Sequence, residues 1–221
     1  MPISQDFIMY IYNLLYNRYG DLGWWPAETP FEVAVGAILT QNTSWNNVEL
    51  SIQNLKKKID LNPEELLRLD IDELKLLIKP SGFYNQKAER LKIFSKFVSV
   101  EYSGDIKYLD RFKTSDARNI LLSLKGIGKE TADSILLYAC EHPIFVIDKY
   151  TMRMFNRVGV GWPEKYDIFQ KNIMKLLPHD LNIYRHYHAL IVENSKNYCR
   201  SKPICEGCPI AKICKKTIFN K

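Results

Sequence analysis

The sequence predicts an all-α protein, and three observations carry that reading. Apolar residues recur at helical spacing along most of the chain. Turns bearing Gly or Pro separate those runs. The only β-like stretch, "PIFVID" (143–148), is too short and isolated to seed a sheet. With 221 residues, 46% of them hydrophobic, the chain can bury one large core or two small ones.

The elements follow in chain order. "MPISQDFIMYIYNLLYNRYG" opens the chain with a helical pattern; it has no basic flank or small-residue cleavage site, so it does not read as a signal peptide. "FEVAVGAILTQ" (31–41) is apolar nearly all round, the mark of a central helix buried on most sides. "NPEELLRLDIDELKLLIK" (62–79) reads as two short helices, the first with Asn62 as N-cap and Pro63 at the first helical position. After the turn "PSGFYNQK" comes the amphipathic "DARNILLSL", then "KGIGKE", then "KETADSILLYAC", where Ala132, Ile135, Leu136, Ala139 and Cys140 form one apolar face. "KYTMRMFNRV" follows with Asp148 as N-cap, and "YDIFQKNIMKLLPHD" stops before Pro178. No run of about 18 apolar residues occurs, so no membrane span is expected. A cytoplasmic monomer is expected. The net charge of +6 and pI near 8.9 fit a polyanionic partner without requiring one.

Two stretches carry chemistry. In "LKGIGKETADSIL" (124–136), Gly126 and Gly128 precede a helix start, where unpaired N–H groups and partial positive charge suit an anion. Glycines allow close approach and positive φ. Ile127 between them can anchor the turn. The same residues can equally be an ordinary helix–helix connection with a glycine C-cap. In the last 23 residues, Cys199, Cys205, Cys208 and Cys214 have the form C-x5-C-x2-C-x5-C. Four thiolates at this spacing can close round one metal centre. Disulfides do not suit a cytoplasmic chain. Zinc more often uses two C-x2-C knuckles, and only one exists here. A [4Fe–4S] cluster, which carries net negative charge, is favoured with zinc as the rival, because Lys196, Arg200, Lys202, Lys212, Lys215 and Lys216 surround the cysteines; those residues could also face phosphates. The fifth cysteine, Cys140, reads as a buried small hydrophobe.

The hairpin-like turn, an aspartate about twenty residues later and the C-terminal four-cysteine loop together resemble the endonuclease III superfamily of helix-hairpin-helix DNA glycosylases, over almost the whole chain. The loop between the first two cysteines holds five residues, one fewer than the family pattern. "LGWWPAETPFEVAVGAILTQNTSWNNV" and "IKPSGFYNQKAERL" resemble the 3-methyladenine DNA glycosylase III (MagIII-like) branch, which has Phe where this chain has Trp45. The resemblance implies a six-helix barrel with the helix-hairpin-helix (26–137), a second helical domain with the cluster loop (1–25 and 138–221), and a cleft between them holding Asp148.

It also implies roles. The partner is double-stranded DNA with a damaged base, gripped by Gly126, Gly128 and Lys129, with a monovalent cation at the hairpin. Such contacts position DNA without reading its sequence. The damaged nucleotide is flipped out, and Gln41 and Phe83 are wedges that fill the hole, although Gln41 also reads as a capping amide. Trp24, Trp25, Pro26, Trp45 and Glu130 line the base pocket; the tryptophans also read as core, and Glu130 as a first-turn acid suited to the helix dipole. A purine alkylated at N3 or N7 is cationic and is attracted to an indole face. Asp148 is the catalytic carboxylate. Strand-cleaving relatives carry a lysine where this chain has Glu130; its amine forms a Schiff base. Lys129 is one residue early, about 100° round a helix, and Lys149 is the other nearby amine. The sequence thus predicts a monofunctional glycosylase for alkylated purines. The alternatives are a bifunctional glycosylase/AP lyase for oxidised pyrimidines and a non-catalytic DNA-binding iron–sulfur module.

Overall fold

A computed structural model describes residues 3–215. Lys216, one of the cations read around the cysteines, lies outside the described residues. The described residues form two compact units, one spanning Trp25–His142 and the other made of residues 3–24 with 143–215.

The Trp25–His142 unit holds α2 (Pro30–Leu39), α3 (Trp45–Lys58), α4 (Pro63–Arg68), α5 (Ile71–Leu77), α6 (Tyr84–Tyr102), α7 (Thr114–Leu122) and α8 (Lys129–Tyr138). Helix α2 is the central one: nearly every residue is buried, and Thr29 caps its start by accepting the Glu32 N–H at 3.1 Å. Asn62 caps α4 in the same way, accepting from Glu65 at 2.9 Å with Pro63 following. Asp70 then restarts the chain as α5, so the two short helices are separate elements. The end of α4 is closed by a side chain from α6. Lys92 Nζ donates to the carbonyls of Leu66 at 2.9 Å and Leu67 at 2.8 Å, and to Leu69.

The sequence ended this unit at residue 137; the structure carries it to His142. The reason is local bonding: the His142 ring lies 3.0 Å from the Leu109 carbonyl and 3.1 Å from Thr114 Oγ1, and the Cys140 thiol donates to the Ile106 carbonyl. Trp25 also belongs here. Its indole lies on Gly36 of α2, where a Cβ would sit 3.1 Å from Nε1.

The other unit holds α1 (Gln5–Tyr19), α9 (Lys149–Val158), α10 (Tyr166–Lys175) and α11 (Leu181–Asn197). Its core is aromatic, with Phe145, Phe155, Phe169, Tyr184 and Tyr187 in edge-on and tilted contacts. Tyr187 OH donates to the Ile8 carbonyl at 2.9 Å and Tyr19 OH to Asn194 Oδ1 at 3.2 Å, tying α1 to α11. The stretch "PIFVID" is buried and extended but forms no strand. The Phe145 carbonyl instead accepts from the Gln170 side chain at 2.7 Å. Among the described residues there is no strand at all, and no helix is long and apolar enough to cross a membrane.

Candidate active site

The hairpin joins α7 to α8. The Ile127 N–H donates to the Leu124 carbonyl at 3.1 Å, and Ile127 is buried as the anchor of the turn. The two glycines differ. Gly126 has φ +89°, a conformation that strains any residue with a Cβ. Gly128 has an ordinary φ of −92°, and a Cβ there would meet open space. What Gly128 keeps is therefore room outside the turn, at the start of α8, which has no side-chain cap. The two hairpin helices are braced by an ion pair. Arg118 Nε donates to Asp133 Oδ1 at 2.6 Å and its NH2 to Oδ2 at 3.1 Å, with the Asp133 side chain fully buried. Glu130 and Lys129 are exposed in the first turn of α8.

Gln41 is brought to the hairpin. Its Nε2 donates to Thr131 Oγ1 at 2.9 Å and to the Gly126 carbonyl at 3.2 Å, while its Oε1 accepts from Arg90. Phe83 is different. It is 62% exposed and has φ +46°, directly after Gly82 at φ +68°. A phenylalanine held in the left-handed region with its ring in solvent costs energy that its own packing does not repay.

The tryptophans divide between the units. In the Trp25–His142 unit, Trp25 packs edge-on to Trp45 with ring centres 5.1 Å apart, and against Tyr138 at 5.2 Å. Pro26 and Trp45 also line an open cleft of about 400 Å³ with Glu32, Glu49, Gln53 and Lys56. In the other unit, the Lys196 ammonium sits over the Trp24 ring, 5.0 Å from its centre, so that indole face already attracts a cation.

Asp148 is buried as the N-cap of α9. Its Oδ1 accepts the Thr151 N–H at 2.6 Å, and its Oδ2 lies 3.6 Å from His188 Nε2 on α11, beyond a hydrogen bond but within ion-pair reach. Burial pushes the carboxyl up, but the His188 ring and the Thr151 N–H outweigh it and hold Asp148 below the usual carboxylate range. The carboxylate is therefore ionised at neutral pH and fixed in direction. Lys149, beside it, is exposed.

Cys199, Cys205, Cys208 and Cys214 all line one small cavity, together with Met154, Arg157, Tyr198 and Ile210. Among the described residues no three His, Cys, Asp or Glu side chains converge as the ligands of a metal ion do. The surroundings suit negative charge on sulfur: Arg157 NH1 lies 3.4 Å from Cys199 Sγ, and Asn194 Nδ2 lies 3.9 Å from Cys208 Sγ. Burial raises the Cys208 thiol, so a bare thiolate there needs a positive partner.

A model of the HhH-GPD superfamily of base excision DNA repair proteins matches residues 35–179. The chain belongs to this superfamily. This HhH-GPD protein is 52% identical over 211 residues to MJ1434 of Methanocaldococcus jannaschii, a protein named as a DNA repair glycosylase, covering 95% of this chain and 96% of the relative. It is 30% identical over 186 residues to the endonuclease III of Thermotoga maritima, covering 84% and 82%. The solved structure of the H. pylori 3-methyladenine DNA glycosylase MagIII bound to 1,N6-ethenoadenine matches with a TM-score of 0.74 and 30% identity, covering 88% of this chain and 98% of that one. That likeness supports the branch expected from the sequence.

Sequence reasoning missed four residues of this HhH-GPD protein: His188 beside Asp148, Arg90 on Gln41, and the Arg118–Asp133 pair under the hairpin. His188 lies on a helix whose pattern gives it no distinction. Arg118 and Asp133 are 15 residues apart across the turn, a spacing that the helical periodicity on either side does not register.

Proposed function

We propose that this DNA glycosylase is monofunctional and releases alkylated purines such as 3-methyladenine from double-stranded DNA. The observation that carries the reading is an acid, Glu130, where strand-cleaving relatives have an amine, in a chain that also holds a buried, ionised Asp148. As the base departs, the sugar gains oxocarbenium character. A carboxylate fixed beside it stabilises that charge and orients the attacking water. The cap bond to Thr151 holds Asp148 in place, and no amine at position 130 is present to attack the sugar.

The damaged base is proposed to be held by Trp25, Pro26, Trp45 and Glu130, with Trp24 a further candidate stacking face. The MagIII structure that this chain resembles holds a modified adenine, and Lys196 over Trp24 shows an indole face that accepts a cation. Gly126, Gly128 and Lys129 are proposed to hold a backbone phosphate, with a monovalent cation at the turn, and Phe83 and Gln41 to fill the duplex. The four cysteines would hold a [4Fe–4S] cluster, and a visible band near 400 nm is expected from the family resemblance. Such a group would tie the segment 199–214 together through its four sulfurs. The chain's own part is to supply four sulfurs around one cavity and the Arg157 and Asn194 donors beside them.

The test is a side-by-side assay on duplexes with methylated, deaminated and oxidised bases, each with borohydride. Base release from methylated purines without a trapped protein–DNA adduct is expected. A strong trapped adduct with the unaltered protein defeats the monofunctional reading and points to Lys149 or Lys129. No release from any lesion defeats the glycosylase reading.

A further inference from the structure

Gln41 and Phe83 stand on two different turns, and one buried cation serves both. Lys87, in the first turn and a half of α6, has no exposed surface. Its Nζ donates to the Leu39 carbonyl at 2.8 Å and to the Ser81 carbonyl at 2.6 Å. Leu39 is the last residue of α2, and Ser81 is the last residue of the 3-10 turn Lys79–Ser81. Each carbonyl therefore closes a helical element, where a cation is favoured. Each also lies two residues before a candidate wedge: Leu39 before Gln41 and Ser81 before Phe83. Burying an ammonium is costly unless it is hydrogen-bonded, and burial lowers the Lys87 amine to about 8. A core that only needed filling would place a leucine or methionine there.

Arg90, one turn further along α6, extends the same arrangement. It donates to Gln41 Oε1. Its stem occupies the space over Gly126, where a Cβ would collide with its Cγ, Cδ and Nε. The first turns of α6 thus touch the turn before Phe83, the end of α2 and the hairpin.

We propose that Lys87 is a positioning residue for base extrusion: it sets the spacing between the two turns that carry Gln41 and Phe83, and Arg90 carries that brace to the hairpin. The proposal rests on the glycosylase reading. It makes the wedges and the phosphate grip one rigid piece, so binding energy from the backbone is delivered to the stack and not lost in loop motion.

The experiment uses the full chain with Lys87→Met, which keeps the length and removes the donors. The first probe is a duplex with 2-aminopurine beside a tetrahydrofuran site, whose fluorescence rises when the stack opens. The second is single-turnover release of a methylated purine, paired normally or placed opposite an abasic gap. Lys87→Met is expected to lose most of the fluorescence rise and to slow release from the paired duplex by about tenfold or more, while release opposite the gap stays near the unaltered rate. Binding should remain within about threefold, because the phosphate contacts are intact. If Lys87→Met fails to fold, Arg90→Met carries the same test in milder form, and Arg90→Lys should lie nearer the unaltered protein. A full fluorescence rise in the variants, or equal slowing on paired and gapped duplexes, overturns the positioning role and leaves the glycosylase reading intact. No rise and no release with the unaltered protein overturns both.

Discussion

The starts of α8 and α9 are built from the same backbone and finished in opposite ways. Helix α9 is capped from within: Asp148 accepts the Thr151 N–H, and the carboxylate is buried beside His188. Helix α8 has no side-chain cap, begins at Gly128, and leaves open space where that residue's Cβ would lie. Both ends carry the same partial positive charge. At α9 the anion is part of the protein, held in place by its cap bond to Thr151. At α8 the N-cap residue supplies no side-chain acceptor and the space over it is open, which is what the proposed phosphate grip requires. Under the proposed function, a helix start serves as a catalytic support or as a grip according to whether the chain supplies the negative charge itself.

The sharpest way to break this comparison is Asp148→Asn. Asparagine keeps the cap but not the charge, so base release is expected to fall by about a hundredfold or more while DNA binding holds. Single-turnover kinetics and gel-shift titration check it. Activity retained in this variant would remove Asp148 from the chemistry.

Next is the glycine pair. Gly128→Ala meets no steric obstacle within the protein, so folding should be unchanged while affinity for undamaged duplex drops by about tenfold through blocked approach. Gly126→Ala, at φ +89° and against Arg90, is expected to lower stability by about 1–2 kcal/mol. Urea unfolding read beside a salt-dependent binding series separates the two effects.

A smaller effect isolates the cap. Asp148→Ala should lose about 1 kcal/mol of stability relative to Asp148→Asn, read as a lower urea midpoint. The Asp148 charge adds a pH signature: because its folded pKa lies below the ordinary value of 3.8, the stabilisation is present above that pH and is lost as pH falls further. Asp148 should therefore impose no acid limb on base release between about pH 5 and 8.

The smallest effect concerns Lys87. Its amine is lowered from 10.5 to about 8 in the folded state. Between those values the unfolded chain holds a proton that the folded one lacks, so the cost of burying the cation is relieved and stability rises with pH. A urea series between pH 7.5 and 10, with Lys87→Met as reference, should show a steeper rise in the unaltered protein than in the variant.

Much of this site was legible in the sequence because its signals are local. Gly126-Ile127-Gly128 marks a turn within three residues. Asn62-Pro63 and Asp148 mark helix starts within one turn, and the spacing of the four cysteines marks a group that lines one cavity. The apolar periodicity of residues 129–140 gave α8, Lys129–Tyr138, and its buried face. The boundary at His142 was not legible, since it depends on hydrogen bonds to Leu109 and Thr114 about thirty residues earlier.

By itself, then, the sequence determined an all-helical chain, the hairpin, the candidate carboxylate and the grouped cysteines. Each follows from the geometry of a single helix or turn. Only the tertiary structure decided that His188 stands beside Asp148, that Gln41 is tied to the hairpin by Thr131 and Arg90, and that Lys87 joins the turns leading to Gln41 and Phe83. Those partners are distant in sequence. Burial brings them together, and a buried charge or amide must find a partner wherever the fold supplies one.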